Sequence, residues 1–175
     1  MSNAYNLIQC EYSYKSIAGL TLNGVNLQNT NSISSLNPLT AASLLAAFSS
    51  NSLPLQFTLN LNVKNPGKNI AALSGMQYIL EIDDVQMTQG MLNQSFSVAA
   101  GQTSTMPVAI SFDLKKALSG QSADAVKNLA FNFVGLGDTA SKVTLKLRPS
   151  MMIGEQTVTS PVYIPVSFSY GKGYK

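Results

Sequence analysis

Three of the eight acidic residues, Glu81, Asp83 and Asp84, fall within a four-residue span, the densest set of chemistry-bearing side chains in the sequence. Close oxygen ligands suit a hard cation such as Ca²⁺, and a carboxylate pair can run acid–base hydrolysis. Three side chains on one exposed turn fall short of a calcium cage, and nothing beside Asp83 and Asp84 would raise one carboxyl to make it an acid, so the cluster reads as a solvated hairpin turn. Gly135-Leu136-Gly137-Asp138 contains Gly-x-Gly but follows an expected helix, whereas a phosphate cradle feeds a helix N-terminus; it reads as a helix stop. Tyr12 and Tyr14 with Tyr163, Tyr170 and Tyr174 could build a sugar-stacking platform, but Trp is absent and Tyr170 sits on a core phase, which favours packing. Asn93-Gln94-Ser95 is a glycosylation sequon with meaning only in a eukaryotic secretory host. With no His, one Arg and one Cys, His-based triads, His metal sites, a Cys-ligated zinc and an intrachain disulfide are excluded. No catalytic residue, metal or cofactor is expected.

The remaining candidate is hydrophobic. Ser122 caps an expected helix over 122–134 that Gly135 terminates, with Val126, Leu129, Ala130 and Phe133 recurring at helical spacing. Phe131 lies off that stripe, so Val126, Leu129, Phe131 and Phe133 form the candidate interaction surface, one that could line a groove for an apolar ligand or a protein partner. The competing reading is that the helix packs on two neighbours. A second helix is expected from Asn37-Pro38, a cap followed by proline at the first helical position, with Leu39, Ala42, Leu45 and Phe48 as its stripe. Asp113 or Lys115 opens a single turn ending at Gly120, and Lys115-Lys116 reads as its solvated start.

These helices interrupt a chain dominated by period-two alternation. Leu53, Leu55, Phe57, Leu59, Leu61 and Val63 make one half-buried strand, stopped by Asn65-Pro66-Gly67. Met76, Tyr78, Leu80 and Ile82 make another, joined across Asp83-Asp84 to Val85 and Met87 in an expected hairpin. Phe96 and Val98 start a short strand. Met106 to Leu114 alternate again, as do Val143, Leu145 and Leu147, and Val162 to Tyr170 form the last strand. Pro161 and Pro165, on its opposite phase, point to an edge strand or to one whose N–H groups face outward there. Leu20 and Leu22 with Val25 and Leu27 give an N-terminal strand kinked at Asn23-Gly24, Gly154-Glu155-Gln156 supplies a turn, and the tail from Gly171 is expected to fray. About seven strands at short spacing with two or three short inserted helices predict a mainly-β antiparallel sandwich.

The 175 residues suit one domain, taken as 5–175, because Met1-Ser2-Asn3-Ala4 reads as an expression-vector scar. Ser, Thr, Asn and Gln total 58 residues against only 19 charged ones, so neutral amides and hydroxyls must supply most of the polar surface. A lone Arg and scattered lysines make no clustered basic face, which disfavours nucleic acid as a partner. No apolar run is long enough to span a bilayer as a helix. Leu7-Ile8-Gln9-Cys10 has the outline of a lipobox, but Gln precedes Cys where a small residue belongs, so Cys10 reads as a small packed hydrophobe.

Between Leu55 and Leu114 three features come in order. They are the alternating strand Leu59-Asn60-Leu61-Asn62-Val63-Lys64 ending in Asn65-Pro66; the Tyr-bearing strand Gly75-Met76-Gln77-Tyr78-Ile79-Leu80; and Gly90 followed by Val98 and Thr105-Met106-Pro107-Val108. This stretch resembles the water-stress and hypersensitive-response domain of group-2 late embryogenesis abundant proteins, and the whole chain, longer by its two helices, looks like the variant found in bacterial envelope lipoproteins, especially of the Bacteroidetes. The resemblance implies an immunoglobulin- or fibronectin-like sandwich, a non-catalytic role in desiccation or stress tolerance, and no shared catalytic residues. It also implies export to the periplasm or outer membrane behind a lipoprotein signal that preceded residue 5, with the membrane reached only through that lipid anchor. The rival expectation is an envelope binding or assembly module for an apolar ligand or protein partner.

Overall fold

The computed structural model describes residues 9–153 and 155–175; Met1–Ala4, read above as a scar, the start of the lipobox outline and Gly154 of the expected turn lie outside them. The strands are β1 (Glu11–Leu22), β2 (Val25–Asn26), β3 (Pro54–Lys64), β4 (Ala71–Leu73), β5 (Gly75–Ile82), β6 (Val85–Leu92), β7 (Phe96–Val98), β8 (Thr103–Asp113), β9 (Ser141–Ile153), β10 (Gln156–Thr159) and β11 (Ile164–Tyr170). Helices α1 (Pro38–Ala47), α2 (Leu114–Ala117) and α3 (Ala123–Val134) separate strand groups. One sheet has the order β2-β1-β3-β8; the other has β10-β9-β5-β6 with β11 also on β9, and every pairing is antiparallel. Three long strands (β1, β3, β8) thus face four (β11, β9, β5, β6), with β1 against β11 and β8 near β6 at the two sides. This is the expected antiparallel sandwich, its seven long strands supplemented by short ones.

Alternation builds the core directly. Leu55, Leu59, Leu61 and Val63 of β3 are wholly buried against Leu80, Val143, Leu145 and Leu147 of the other sheet. β1 follows a rule that simple alternation hides. Its register against β3 slips between Tyr14 and Ser16 and again between Ala18 and Thr21, so its inward residues run Tyr12, Tyr14, Ile17, Leu20, Leu22. Gln28 closes the second irregularity, its amide accepting from the Leu20 N–H (3.1 Å) and donating to the Ile17 carbonyl (2.8 Å). The expected N-terminal strand is therefore longer than Leu20–Leu27, and Asn23-Gly24 is not a kink. Both residues have positive φ (51° and 78°) in a two-residue hairpin turn with Leu22 opposite Val25.

The second predicted hairpin turn holds as expected, with Asp83 and Asp84 at φ 51° and 64° and Ile82 opposite Val85. Aspartate tolerates that backbone here because Lys142 clamps it: the Asp83 N–H donates to the Lys142 carbonyl (2.8 Å), and the Lys142 N–H to Asp83 Oδ1 (2.9 Å). β11 pairs only with β9, the edge position its prolines predicted, although it starts at Ile164 rather than Val162. The tail does not fray. Gly171, at φ +119°, lies so close to the Asn132 carbonyl that a side chain would collide with it, and Lys175 Nζ donates to the Leu27 and Thr30 carbonyls at 2.7 Å each.

All three helices gather at one end of the sandwich. Asn37 caps α1 by accepting from the Leu39 N–H (2.8 Å), Ser122 caps α3 through the Ala125 N–H (3.1 Å), and Gly135 ends α3 in the left-handed region. The expected stripe of α1 is reversed: Leu44 and Ala47 are buried, while Leu39 is 78% and Leu45 42% exposed. A helix without a single charge and apolar on every side carries no periodic signal to say which face turns inward. Asp113 joins these helices to the sheets, accepting from Ser52 Oγ (2.7 Å) and from the N–H groups of Leu53 (3.0 Å) and Lys115 (2.9 Å), while Lys115 Nζ donates to the Phe48 carbonyl.

At the opposite end, Asn65 leaves no polar group of its own idle. Its Nδ2 donates to the carbonyls of Asn69 (2.8 Å) and Val98 (3.0 Å), its Oδ1 accepts from the Gly67 N–H (2.9 Å), and its backbone pairs with Gln102 and Gly101 (2.9 Å each). The residue is 1% exposed. It ties the end of β3 to the turn before β8 and to the small β4–β7 sheet, which bridges the two large ones.

Replacing Asn65 by Ala should lower unfolding free energy by roughly 3 kcal/mol in urea titration, since three side-chain bonds go and buried partners are left unmet; Asn60→Ala, on the open face, should cost under about 0.5 kcal/mol. Burial pushes the Asp113 carboxyl up, but hydrogen bonds from Leu53, Ser52, Lys115 and Lys116 outweigh it and leave the pKa below 3.8. A carboxyl depressed on folding stabilises above its unfolded pKa and loses that contribution as pH falls through the folded value. Asp113→Asn should therefore be less stable than wild type at pH 7, with the difference shrinking in acid-unfolding curves as pH falls below 3.8 and through the folded carboxyl's own titration.

Candidate functional site

The structure distributes the residues singled out in the sequence rather than gathering them. Val126 and Phe133 of α3 are buried, with Phe133 wedged between Phe57 (5.3 Å between ring centroids) and Tyr170 (5.4 Å) at the base of the core. Leu129 and Phe131 are half-buried; Phe131 meets Phe48 edge-to-face at 5.2 Å and carries Lys127 Nζ 5.6 Å from its ring centre. Of the four candidate surface residues, then, two lie in the core and two are half-buried, with Phe131 against Phe48 at the end of α1. The tyrosines are likewise separated. Tyr14 stacks on Phe168 at 4.0 Å, and Tyr170 is buried, its hydroxyl pKa pushed to about 12 mainly by desolvation. Tyr163 lies on the far sheet against Arg148.

The acidic cluster is spent on structure. Glu81 accepts from Lys146 Nζ (2.8 Å), Asp84 from Lys142 Nζ (3.2 Å), and Asp83 from backbone. Among the described residues no three His, Cys, Asp or Glu side chains are placed to hold a metal. Cys10 is buried, and burial raises its thiol pKa, which keeps it protonated and inert. Lys115 is no solvated helix start but a bridge to Phe48.

What the register assembles instead is a face. Outward residues of β1, β3 and β8 stand side by side in four rows: Ser13–Asn62–Thr105, Ser16–Asn60–Pro107, Ala18–Thr58–Ala109 and Thr21–Gln56–Ser111. Not one is charged, and between Lys15 and Lys64 the sequence has no Asp, Glu, Lys or Arg at all. Asn60 Nδ2 bonds Ser16 Oγ across the strands (3.1 Å), and Lys15, at the first β1 irregularity, lays its Nζ on Thr105 Oγ1 (2.7 Å). Gly19 and Ala109 leave low ground beside Gln56, Thr58 and Ser111, a depression of about 320 Å³. Strand spacing sets these groups about 4.8 Å apart across the sheet and about 7 Å along it. Such an array offers donors and acceptors in both senses without a fixed charge, so it can exchange hydrogen bonds with water, sugars or another neutral polar surface. Composition announced the neutral surface; only the register shows that it is concentrated on one sheet.

The class of protein is an antiparallel β-sandwich, three long strands on four. Residues 60–162 match the family model for late embryogenesis abundant protein (LEA_2), well over half of the chain, and the chain belongs to that family. No curated protein matches it. Among solved structures it is similar to a protein from Archaeoglobus fulgidus (17% identity, covering 69% of this chain and 87% of that one, TM-score 0.41). It is also similar to one from Arabidopsis thaliana (8% identity, 70% and 74%, TM-score 0.44) and to one assigned as a late embryogenesis abundant protein (13% identity, 97% and 75%, TM-score 0.45).

If α3 belongs to the core as described, Phe133→Ala should destabilise by about 3–5 kcal/mol in chemical denaturation, and Leu129→Ala, half-covered, by under half of that.

Proposed function

We propose that the protein is a non-catalytic stress and desiccation protein that protects neighbouring macromolecules physically, through the neutral face of β1, β3 and β8. The observation that carries this reading is the four uncharged rows, nine of whose twelve side chains are hydroxyls or amides, in a chain of the late embryogenesis abundant family. As water leaves, these groups offer replacement hydrogen bonds to a surface losing its own hydration, and lacking charge they are little affected by the salt that concentrates on drying. We further propose a cell-envelope location, with export and a lipid tether ahead of β1. A tether there would hold the protein by the end away from its helices and leave the face clear.

A labile enzyme dried and rehydrated with the protein should recover more activity than with equal-mass albumin or an unrelated β-sandwich. Two cross-strand charge pairs, Gln56→Glu with Ser111→Lys and Thr58→Glu with Ala109→Lys, leave net charge unchanged and should reduce recovery to the albumin level without loss of fold. Recovery equal to albumin for the unaltered protein would remove the reading.

A second reading, a binding or assembly module for an apolar ligand or partner, is favoured by the exposed Leu39 and Leu45 of α1, next to the Phe48–Phe131 contact. Native mass spectrometry would reveal a carried lipid, and Phe131→Asp in light scattering would disrupt association through that surface. Unchanged association would count against it.

A further inference from the structure

The outer face of the other sheet is built differently, and its one arginine is held as a recognition group is held. Register places Arg148 of β9 beside Gln77 of β5 and Gln77 beside Met91 of β6; in the next row stand Lys146, Ile79 and Gln89. Arg148 Nε donates to the Ser160 carbonyl (2.7 Å), and its guanidinium carbon lies 5.4 Å from the ring centre of Tyr163. Ser160 is itself fixed: it is 5% exposed, its N–H donates to the Pro149 carbonyl (2.8 Å), and its hydroxyl donates to the Val162 carbonyl (2.8 Å) and accepts from the Val162 N–H (3.2 Å). A planar cation with its Nε occupied and a ring against it has little orientational freedom left to lose, and its two terminal amino groups remain to pair with a ligand.

Charge bookkeeping on this face leaves that cation uncompensated. Lys146 is paired with Glu81 and Lys142 with Asp84, whereas among the described residues no carboxylate pairs with Arg148. Beside it lies an open depression of about 390 Å³ lined by Gln77, Ile79, Gln89, Met91 and Tyr163, with Tyr78 and Gly90 completing it; Arg148 stands at its margin, next to Gln77 and Tyr163, and Tyr163 is 39% exposed. Each group answers one part of a ligand. The guanidinium fork matches a carboxylate, the glutamine amides match hydroxyls as donor and acceptor, and the tyrosine ring with Ile79 and Met91 supplies a surface for the C–H face of a sugar ring. An acidic peptide fits less well: the free edge beside the depression is β6, and a strand added there would lie three strand spacings, about 14 Å, from Arg148 on β9. We propose that this depression binds a uronic-acid-bearing saccharide, with Arg148 on the carboxylate, Gln77 and Gln89 on ring hydroxyls and Tyr163 against the ring. The proposal stands independently of the protective role.

The test is a titration of the ¹⁵N-labelled full chain with tetragalacturonate, followed by NMR. Shifts should concentrate on the side chains of Gln77, Gln89 and Arg148 and on the Ile79, Met91 and Tyr163 amides, and should weaken as salt rises. Because Arg148 also holds the 160–163 loop, the deciding variants are Gln77→Ala and Gln89→Ala. Each should weaken binding about fivefold or more while leaving the Ser160 and Val162 amide signals in place. Tyr163→Ala should weaken it about tenfold. The proposal is overturned by absence of saturable shifts up to ~10 mM ligand, by an equal response to the fully methyl-esterified tetramer or to acetate, or by a stronger response to a tetraglutamate peptide.

Discussion

A single buried amide governs how the two sheets are joined. Chain leaving β3 must cross to β4 and β5, and chain arriving at β8 must return beside β3; both passages meet at Asn65. Its side chain holds the outgoing loop through Asn69 and Gly67 and holds β7 through Val98, while its backbone holds the incoming turn through Gly101 and Gln102. Asparagine is suited to this because one planar group both donates twice and accepts. Aspartate would lack the donors and would bury a charge, and leucine would orphan two carbonyls and an N–H. The following Pro66 cannot extend the β3 ladder, so the bend falls at the residue able to fill it.

That junction sets what the rest of the molecule displays. With β3 fixed at one end by Asn65 and at the other by the Asp113 cap, its eleven residues pair with β8 without a register shift, and the four rows of neutral side chains fall into line. β1, unconstrained in that way, absorbs its length through two irregularities and depends on Gln28 to satisfy the backbone they free. The two outer faces then diverge in chemistry. One is largely neutral, with Lys15 and the Glu11–Lys64 pair at its Asn65 end, and the other carries paired lysines and acids around one rigid arginine. Both are made by strands whose inward residues are nearly interchangeable aliphatics, so the core fixes the display while leaving the outward positions free to carry function.

Much of this was legible in the sequence where a local rule matched the tertiary outcome. The alternation of β3, β5, β8 and β9, the Ser122 cap, the Gly135 stop, the Asp83-Asp84 turn and the edge position of β11 all follow from residue type and spacing. The misses have physical reasons. The inward run Tyr14, Ile17, Leu20 has three-residue steps, which imitate a helix, because irregularities inserted residues into a strand. The stripe on α1 was reversed because an uncharged, all-round apolar helix has no preferred face until its neighbours choose one. Helical spacing set Phe131 apart from the stripe that carries Phe133, but only the core can say that Phe133 joins Phe57 and Tyr170 while Phe131 meets Phe48. Neither face was visible as a site, since each is assembled from strands distant in the chain, and Arg148, Ser160 and Tyr163 gave no local motif.

Native-state hydrogen exchange addresses the junction most directly. The Gly67 and Gly101 amides lie in loops that would ordinarily exchange early, yet here they donate to Asn65 Oδ1 and to the Asn65 carbonyl. They should exchange only through global unfolding, with protection equal to that of the central β3 and β8 amides. Exchange of either amide thousands of times faster than those strands, as expected of an independent loop opening, would contradict the claim that Asn65 holds the sandwich together.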